Sequence, residues 1–195
     1  LIAGKALKNP FDYGFDLMLS TTHKTLRGPR GGIILTCEDA ELAKKIDKMV
    51  FPGFQGGPLM NTIAAKAVCF AEALRPSFVH YAKNVVLNAQ AMATVYKEEG
   101  VRMIGGGTDN HLVLADVSSF GMSGGEAERL LDETGITLNK NMIADDPRRP
   151  MDPSGIRFGT PALTTRGFNE EACAEVARLM LAVLKGRDVN ASGAK

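Results

Sequence analysis

The chain has 195 residues and a mass of 20.8 kDa, enough for one substantial hydrophobic core or for one domain with part of another. Its content of 45% hydrophobic and 23% charged residues is ordinary for a globular protein, and its formal net charge of +1 predicts no bulk attraction to nucleic acid or to an anionic membrane. No apolar run approaches the roughly 18 residues that a membrane span requires.

The three cysteines, Cys37, Cys69 and Cys173, are widely spaced and fit neither a disulfide framework nor a CxxC metal site. We therefore expect a reduced, cytoplasmic setting. The three histidines show no paired spacing, so we expect no metal site. The opening LIAGKALKNPF carries no signal sequence and is typical of the middle of a protein, so we expect residues to precede Leu1.

Two short apolar runs, at 15–19 and 33–35, predict buried strands on either side of the polar stretch STTHKTLRGPRGG at 20–32. Residues 38–50 predict a helix, because apolar residues recur at helical spacing, acidic residues lie near the amino end and lysines lie near the carboxyl end, as the helix dipole favours. After the loop PGFQGGP, residues 59–74 predict another helix. Residues 1–76 are therefore interpreted as the end of a large α/β domain.

A long helical pattern follows at 77–99 and is interpreted as a helix that links two domains. Beyond Gly100 the pattern predicts strands at 101–104, 111–117 and 136–139, helices at 124–134 and 169–184, and a long loop at 141–155 followed by the apolar stretch IRFGTPALTTRGF. Residues 100–195 are interpreted as a smaller α/β domain.

Lys24 is a candidate nucleophilic amine. At the end of a buried strand it would be partly desolvated, which lowers the pKa of an amine and leaves more of it neutral to attack a carbonyl and form a Schiff base. His23 and the hydroxyls around it, Thr21 among them, could bind a phenolate oxygen or relay a proton. A lysine that only extends its amine into solvent from a strand end remains the alternative.

Other candidates bind anions or polar groups. Glycine loops such as GPRGG and PGFQGGP allow close approach of backbone N–H groups to phosphate, although ordinary turns also explain them. Arg157, in an apolar strand, would bury its guanidinium and require a carboxylate from a ligand or from a protein side chain. Asn141 could meet a polar heterocycle or cap a turn. Arg27 is expected to be solvated.

Five motifs together resemble the serine hydroxymethyltransferase family, pyridoxal-phosphate enzymes of the aspartate aminotransferase fold type. The motifs are STTHKTLRGPRGG at 20–32, FPGFQGGPLM at 51–60, GTDNHLVLADV at 107–117, NKN at 139–141 and SGIRFGTPALTTRGF at 154–168. The resemblance implies a large cofactor domain with a mostly parallel sheet, a long linking helix and a smaller α/β carboxy-terminal domain.

The resemblance also implies roles for single residues. Lys24 would form the internal aldimine with pyridoxal phosphate, with His23 and Arg30 near the cofactor and Thr21 among the hydroxyls that line the imine. Gly57 would offer its backbone to the cofactor phosphate of a neighbouring subunit, which implies a homodimer or tetramer with shared active sites.

Arg157 would bind the carboxylate of the amino acid, and Asn141 the pterin of tetrahydrofolate. The implied reaction converts serine and tetrahydrofolate reversibly into glycine and 5,10-methylenetetrahydrofolate.

The sequence departs from the family because the amino-terminal half of the pattern is absent, including the aspartate that pairs with the pyridine nitrogen. We therefore expect these 195 residues alone to be inactive and residues 1–76 to expose apolar edges. Two alternatives remain: a threonine-aldolase-like pyridoxal-phosphate enzyme, or a non-catalytic, truncated partner subunit.

Overall fold

The computed structural model describes residues 1–186, so residues 187–195 of the predicted small domain lie outside the described residues. The chain divides into two compact units, Leu1–Lys83 and Asn84–Lys195. The α-helices and strands of the described residues, in chain order, are β1 Leu17–Thr21, β2 Gly32–Thr36, α1 Ala40–Lys48, α2 Met60–Ala73, α3 Pro76–Glu98, β3 Leu112–Asp116, α4 Gly124–Glu133, β4 Asn139–Asn141, β5 Gly155–Gly159, α5 Pro161–Thr165 and α6 Glu170–Leu184.

The sheet of the first unit is an antiparallel hairpin in which Leu17 pairs with Thr36 and Thr21 pairs with Gly32. The expectation of mostly parallel pairing is not met, since every strand pair within residues 1–186 is antiparallel. The ten residues between β1 and β2 turn the chain directly back, whereas a parallel pair needs a longer crossover connection.

The two strands were expected to be buried, and this is wrong. Leu19 is 69% exposed and Ile34 is 40% exposed. Large apolar side chains in and around α1 and α2 are also open to solvent, with Phe54 at 80% and Leu74 at 86%. The predicted exposure of apolar surface in residues 1–76 is therefore confirmed.

The second unit is built around a three-stranded antiparallel sheet of order β3-β5-β4. Only one face of this sheet is buried, because side chains alternate along each strand. Its core side chains include Tyr96, Val113, Ala115, Leu131, Ile156, Phe158, Cys173 and Met180. The predicted strand at 101–104 is reduced to one bridge, between Met103 and Ala115.

Within residues 1–186, none of the helices combines the length and apolar character needed to cross a membrane. The same residues contain no cluster of three or more histidine, cysteine, aspartate or glutamate side chains that could hold a metal ion.

Candidate functional site

The connection between β1 and β2, residues 22–31, is here called the lysine loop. Thr22 is fully buried at its base: its N–H donates to Gly31 O at 3.0 Å, and its carbonyl accepts from Gly28 N at 2.7 Å. The Thr22 hydroxyl donates to Pro29 O at 2.6 Å. A single buried threonine thus closes the loop into a fixed ring, a role that the sequence did not reveal.

Four of the predicted site residues lie in or beside this loop. Thr21 is the last residue of β1 and is half-buried. His23 is half-buried, and its Nδ1 accepts from Gly31 N at 3.3 Å, so the neutral ring carries its proton on Nε2. Lys24 and Arg30 are exposed.

The expected desolvation of Lys24 is therefore wrong for this chain. A strand end desolvates an amine only when the strand itself is covered, and β1 is largely open to solvent. Lys24 forms a tight turn with Arg27, whose N–H donates to Lys24 O at 2.8 Å. Its side chain forms no ion pair within residues 1–186, so the amine is available to a ligand.

Arg27 is exposed, as expected, and its guanidinium also anchors the lysine loop. Its guanidinium carbon lies 4.0 Å from the ring centroid of Tyr81 and 5.6 Å from that of Phe78. Cys69, on α2, lies beneath the loop and its Sγ donates to Leu26 O at 3.3 Å. Burial raises the pKa of this thiol, so Cys69 is a packing residue here.

The two glycine loops differ in what their glycines do. A Cβ on Gly28 would lie 2.6 Å from the Cys69 sulfur, and one on Gly31 would lie 2.8 Å from Lys66 Cε. Gly28 is required by packing, because its Cβ would also lie 2.9 Å from the backbone atom Thr22 O, whereas at Gly31 the end of the Lys66 side chain can turn away. By contrast, a Cβ on Gly56 or Gly57 would meet nothing within 4 Å. The exposed PGFQGGP backbone is open to approach by another molecule.

The second unit contains an open cavity of about 740 Å³, here called the arginine pocket. Its volume is within the range of about 300–1,000 Å³ typical of small-molecule sites. Its lining residues are Ile104, Gly105, Gly106, Gly107, Thr108, Asp109, Asn110, Leu112, Leu114, Asn141 and Arg157. The structure thus brings the predicted residues Arg157 and Asn141 together.

Arg157 was predicted to be buried, and this is wrong. Arg157 lies in the middle of β5, opposite Leu114 of β3 and Asn139 of β4. Its neighbours Ile156 and Phe158 point into the core, so Arg157 points to the other face and is exposed. No ion pair holds its guanidinium within the described residues, which leaves this cation free to bind an anionic ligand.

One wall of the arginine pocket is a glycine turn at residues 105–107. Gly105, Gly106 and Gly107 have φ values of 77°, 74° and 153°, which side chains rarely permit. The turn is fixed beyond these glycines because Thr108 Oγ1 donates to Leu112 O at 2.6 Å, and Leu112 N donates to Asn110 Oδ1 at 2.8 Å. The wall is therefore formed before any ligand arrives.

Asn141 ends β4 and is half-buried. Its Nδ2 donates to Met142 O at 2.6 Å, a local bond of the kind expected of a turn residue. Its Oδ1 remains able to accept a hydrogen bond. The turn contact therefore uses one end of the amide and leaves the other end open to the pocket.

Comparison with known proteins matches residues 1–180 to the family described as "Serine hydroxymethyltransferase". The chain belongs to the serine hydroxymethyltransferase family. A relative of the same name from Francisella tularensis subsp. novicida is 55% identical over 184 residues, which are 94% of this chain and 44% of the relative. The relative from Francisella philomiragia subsp. philomiragia is 53% identical over the same shares. The chain thus spans less than half the length of these curated relatives.

Proposed function

We propose that the complete subunit containing these residues is a glycine/serine hydroxymethyltransferase, which transfers the hydroxymethyl carbon of serine reversibly to tetrahydrofolate. Glycine and 5,10-methylenetetrahydrofolate are the products. The observation that carries this proposal is the open arginine pocket, in which the unpaired Arg157 and the predicted folate ligand Asn141 line one cavity. A threonine-aldolase-like activity has no comparable support, because it uses no folate and so leaves Asn141 without a ligand to bind.

The side chains of the lysine loop fit pyridoxal phosphate. An exposed primary amine at Lys24 can bond to an aldehyde, while the His23 ring and the exposed Arg30 offer a proton donor and a cation to the polar groups of the cofactor. When bound, the cofactor supplies an electron sink for negative charge on the amino acid. Thr21 is proposed as a hydroxyl donor beside the same loop.

In this proposal Arg157 binds the carboxylate of serine or glycine, and so fixes how the amino acid is oriented. The strand geometry supports the role, since β5 is held between two neighbours and carries Arg157 on a rigid element. Asn141 contributes its free amide oxygen to the pterin of tetrahydrofolate. Both roles require that the glycine turn at 105–107 keeps its conformation, so that ligands can enter the arginine pocket.

Gly57 is proposed to offer its backbone N–H to the cofactor phosphate in a neighbouring subunit, which makes the enzyme a homodimer or tetramer. The proposal is supported by the open space at Gly57 and by the exposed apolar side chains around it, such as Phe54 and Leu59. A cytoplasmic location follows as part of the same proposal.

Borohydride reduction of the complete subunit with pyridoxal phosphate, followed by peptide mapping, tests the central assignment. We expect the label on Lys24, loss of serine cleavage in Lys24→Ala, and little change in the matched variant Lys44→Ala, because Lys44 is exposed on α1, where it pairs with Glu41 of the same helix. A label on another lysine refutes the assignment.

The 195 residues alone are proposed to lack turnover, as expected from the family elements that they do not contain. A direct assay of this polypeptide with serine and tetrahydrofolate decides the point. A rate near that of an intact relative contradicts the proposal, whereas a complete subunit with no activity contradicts the enzymatic assignment itself.

A further inference from the structure

The carboxylate of Asp146 binds four donors in the long segment between β4 and β5. Its Oδ2 accepts from Ile143 N at 3.2 Å and from Ser154 N at 2.9 Å. Its Oδ1 accepts from Arg148 N at 2.9 Å and from the Ser154 hydroxyl at 2.7 Å. In the sequence this segment stands out only by its length, and no local pattern marks Asp146.

These contacts close the segment at its base. β4 and β5 pair as far as Asn141 and Gly155, and just beyond this pairing two backbone donors, Ile143 N and Ser154 N, both bind the Asp146 carboxylate. One side chain therefore replaces the strand pairing where the two chains separate. Ser154 is 1% exposed, and its carbonyl accepts from Val117 N at 3.0 Å, so this base is fixed to β3 as well.

Gly155 packs closely against the other side of this base. A Cβ on Gly155 would lie 2.5 Å from Ile143 Cγ2 and 2.7 Å from Asn141 O. A shift of Ser154 must therefore move Gly155, and with it the strand that carries Arg157. A shift of Ile143 likewise moves Asn141, two residues earlier in the chain.

The charge of Asp146 suits this role. Partial desolvation acts to raise the pKa of its carboxyl, but the bonds from Ser154, Arg148 and Ile143 outweigh it and hold that pKa well below the usual range. The group is thus an acceptor for all four donors at neutral pH, because an ionised carboxylate has no proton of its own to oppose them.

We propose that Asp146 is a positioning residue for the arginine pocket: by joining Ile143 to Ser154 it sets the relative placement of Asn141 and Arg157 for the amino-acid carboxylate and the folate. This rests on the proposed function. Asp146 touches neither ligand in this proposal, so its effect on binding passes through Arg157 and Asn141.

The test replaces Asp146 by Asn in the complete, cofactor-loaded subunit. If the new Nδ2 takes the place of Oδ2 it faces Ile143 N and Ser154 N and the join between them is lost; if it takes the place of Oδ1 it faces Arg148 N, so at least one of the four bonds is lost either way. Asp145→Asn is the matched control, because Asp145 is the next residue, is exposed, and has a φ of 56° that asparagine tolerates. Ser154→Ala removes only the hydroxyl donor and gives a milder variant.

The readouts are the equilibrium dissociation constant for glycine, the KM for serine and for tetrahydrofolate, and kcat. For Asp146→Asn we expect both KM values and the glycine constant to rise about tenfold with kcat changed less than about threefold, and a smaller rise for Ser154→Ala. Asp145→Asn should change each by less than about twofold. In an Arg157→Lys background, Asp146→Asn should add less than about twofold to the glycine constant.

Several results overturn the proposal. A lower unfolding temperature with unchanged glycine binding makes Asp146 a stabilising residue only. An undiminished effect in the Arg157→Lys background shows that it does not act through Arg157. If the wild type binds glycine but transfers no carbon to folate, the proposed function fails while the glycine comparison still decides the role of Asp146.

Discussion

Two adjacent glycines at the start of α4 offer a sharp test of how β5 is held. A Cβ on Gly124 would lie 2.2 Å from Gly155 O and 3.0 Å from Pro153 O, both backbone atoms. Gly124 N also donates to Pro153 O at 2.7 Å, so the helix cannot withdraw without losing that bond. A Cβ on Gly125 would instead meet Asp152 Oδ1 at 2.7 Å, the end of an exposed side chain that can turn away.

The magnitudes follow from these contacts. Overpacking against fixed backbone costs about 1–3 kcal/mol, and alanine regains at most about 1 kcal/mol of helix propensity over glycine. Gly124→Ala should therefore lower the free energy of unfolding by about 1–2 kcal/mol. Gly125→Ala should change it by less than about 1 kcal/mol, in the stabilising direction, because the ion pair of Asp152 with Arg148 is exposed and contributes little.

Native-state amide exchange at Leu131 and Ile156, both fully buried, measures the stability of this unit in each variant. The capping box of Ser123 and Glu126 is unchanged in both variants, so the comparison isolates the new methyl group. Equal protection in Gly124→Ala and wild type, or equal losses in both variants, would refute the reasoning.

Two further predictions concern single side chains. The Tyr96 hydroxyl is buried and has no hydrogen-bond partner within residues 1–186, so Tyr96→Phe should raise the free energy of unfolding by about 1 kcal/mol, seen as a higher unfolding temperature; a fall would reveal a partner. Arg27→Ala removes the stacking on Tyr81, about 0.5–1 kcal/mol at an exposed site, and should speed amide exchange at Gly28 while leaving Ile156 unchanged; unchanged exchange at Gly28 would contradict the anchoring role of Arg27.

The helices could be predicted from the sequence because their signals are local. The pattern at 38–50 gave α1, observed at Ala40–Lys48, where the Asp39 side chain accepts from Glu41 N and Leu42 N. The strand predicted at 136–139 is observed instead as β4, Asn139–Asn141. β4 has the polar sequence NKN, which has no apolar alternation typical of a strand. It forms a strand because it pairs with β5, a contact between segments distant in the chain.

The sequence singled out Arg157 and Asn141, which line one pocket, but it did not give the environment of Arg157. The alternation of Ile156, Arg157 and Phe158 contained the signal that Arg157 faces away from the core, and applying it would have avoided the wrong prediction of burial. Asp146 and Thr22 had no such signal. The Thr22 hydroxyl binds backbone oxygens seven and nine positions away in the chain, and Asp146 binds a backbone N–H eight positions away. Such contacts leave no periodic pattern in the sequence.

The two units differ in how much of their apolar side-chain surface they bury. The second buries its core face around β5, with Val113 and Ile156 fully inaccessible. The first exposes a groove of about 410 Å³ lined mainly by apolar side chains, among them Leu19, Ile34 and Phe54. Contiguous apolar surface of this kind marks an interaction site or an aggregation liability in a folded protein.

This difference bears on the two halves of the proposed chemistry. The arginine pocket depends on strand pairing and on the Asp146 contacts, all of which lie within the second unit. The lysine loop has a fixed shape, because Thr22 and Arg27 hold it, but its amine is exposed. The shape of the lysine loop is thus set by contacts within the first unit, whereas the water exclusion that amine chemistry favours is proposed to come from additional protein surface.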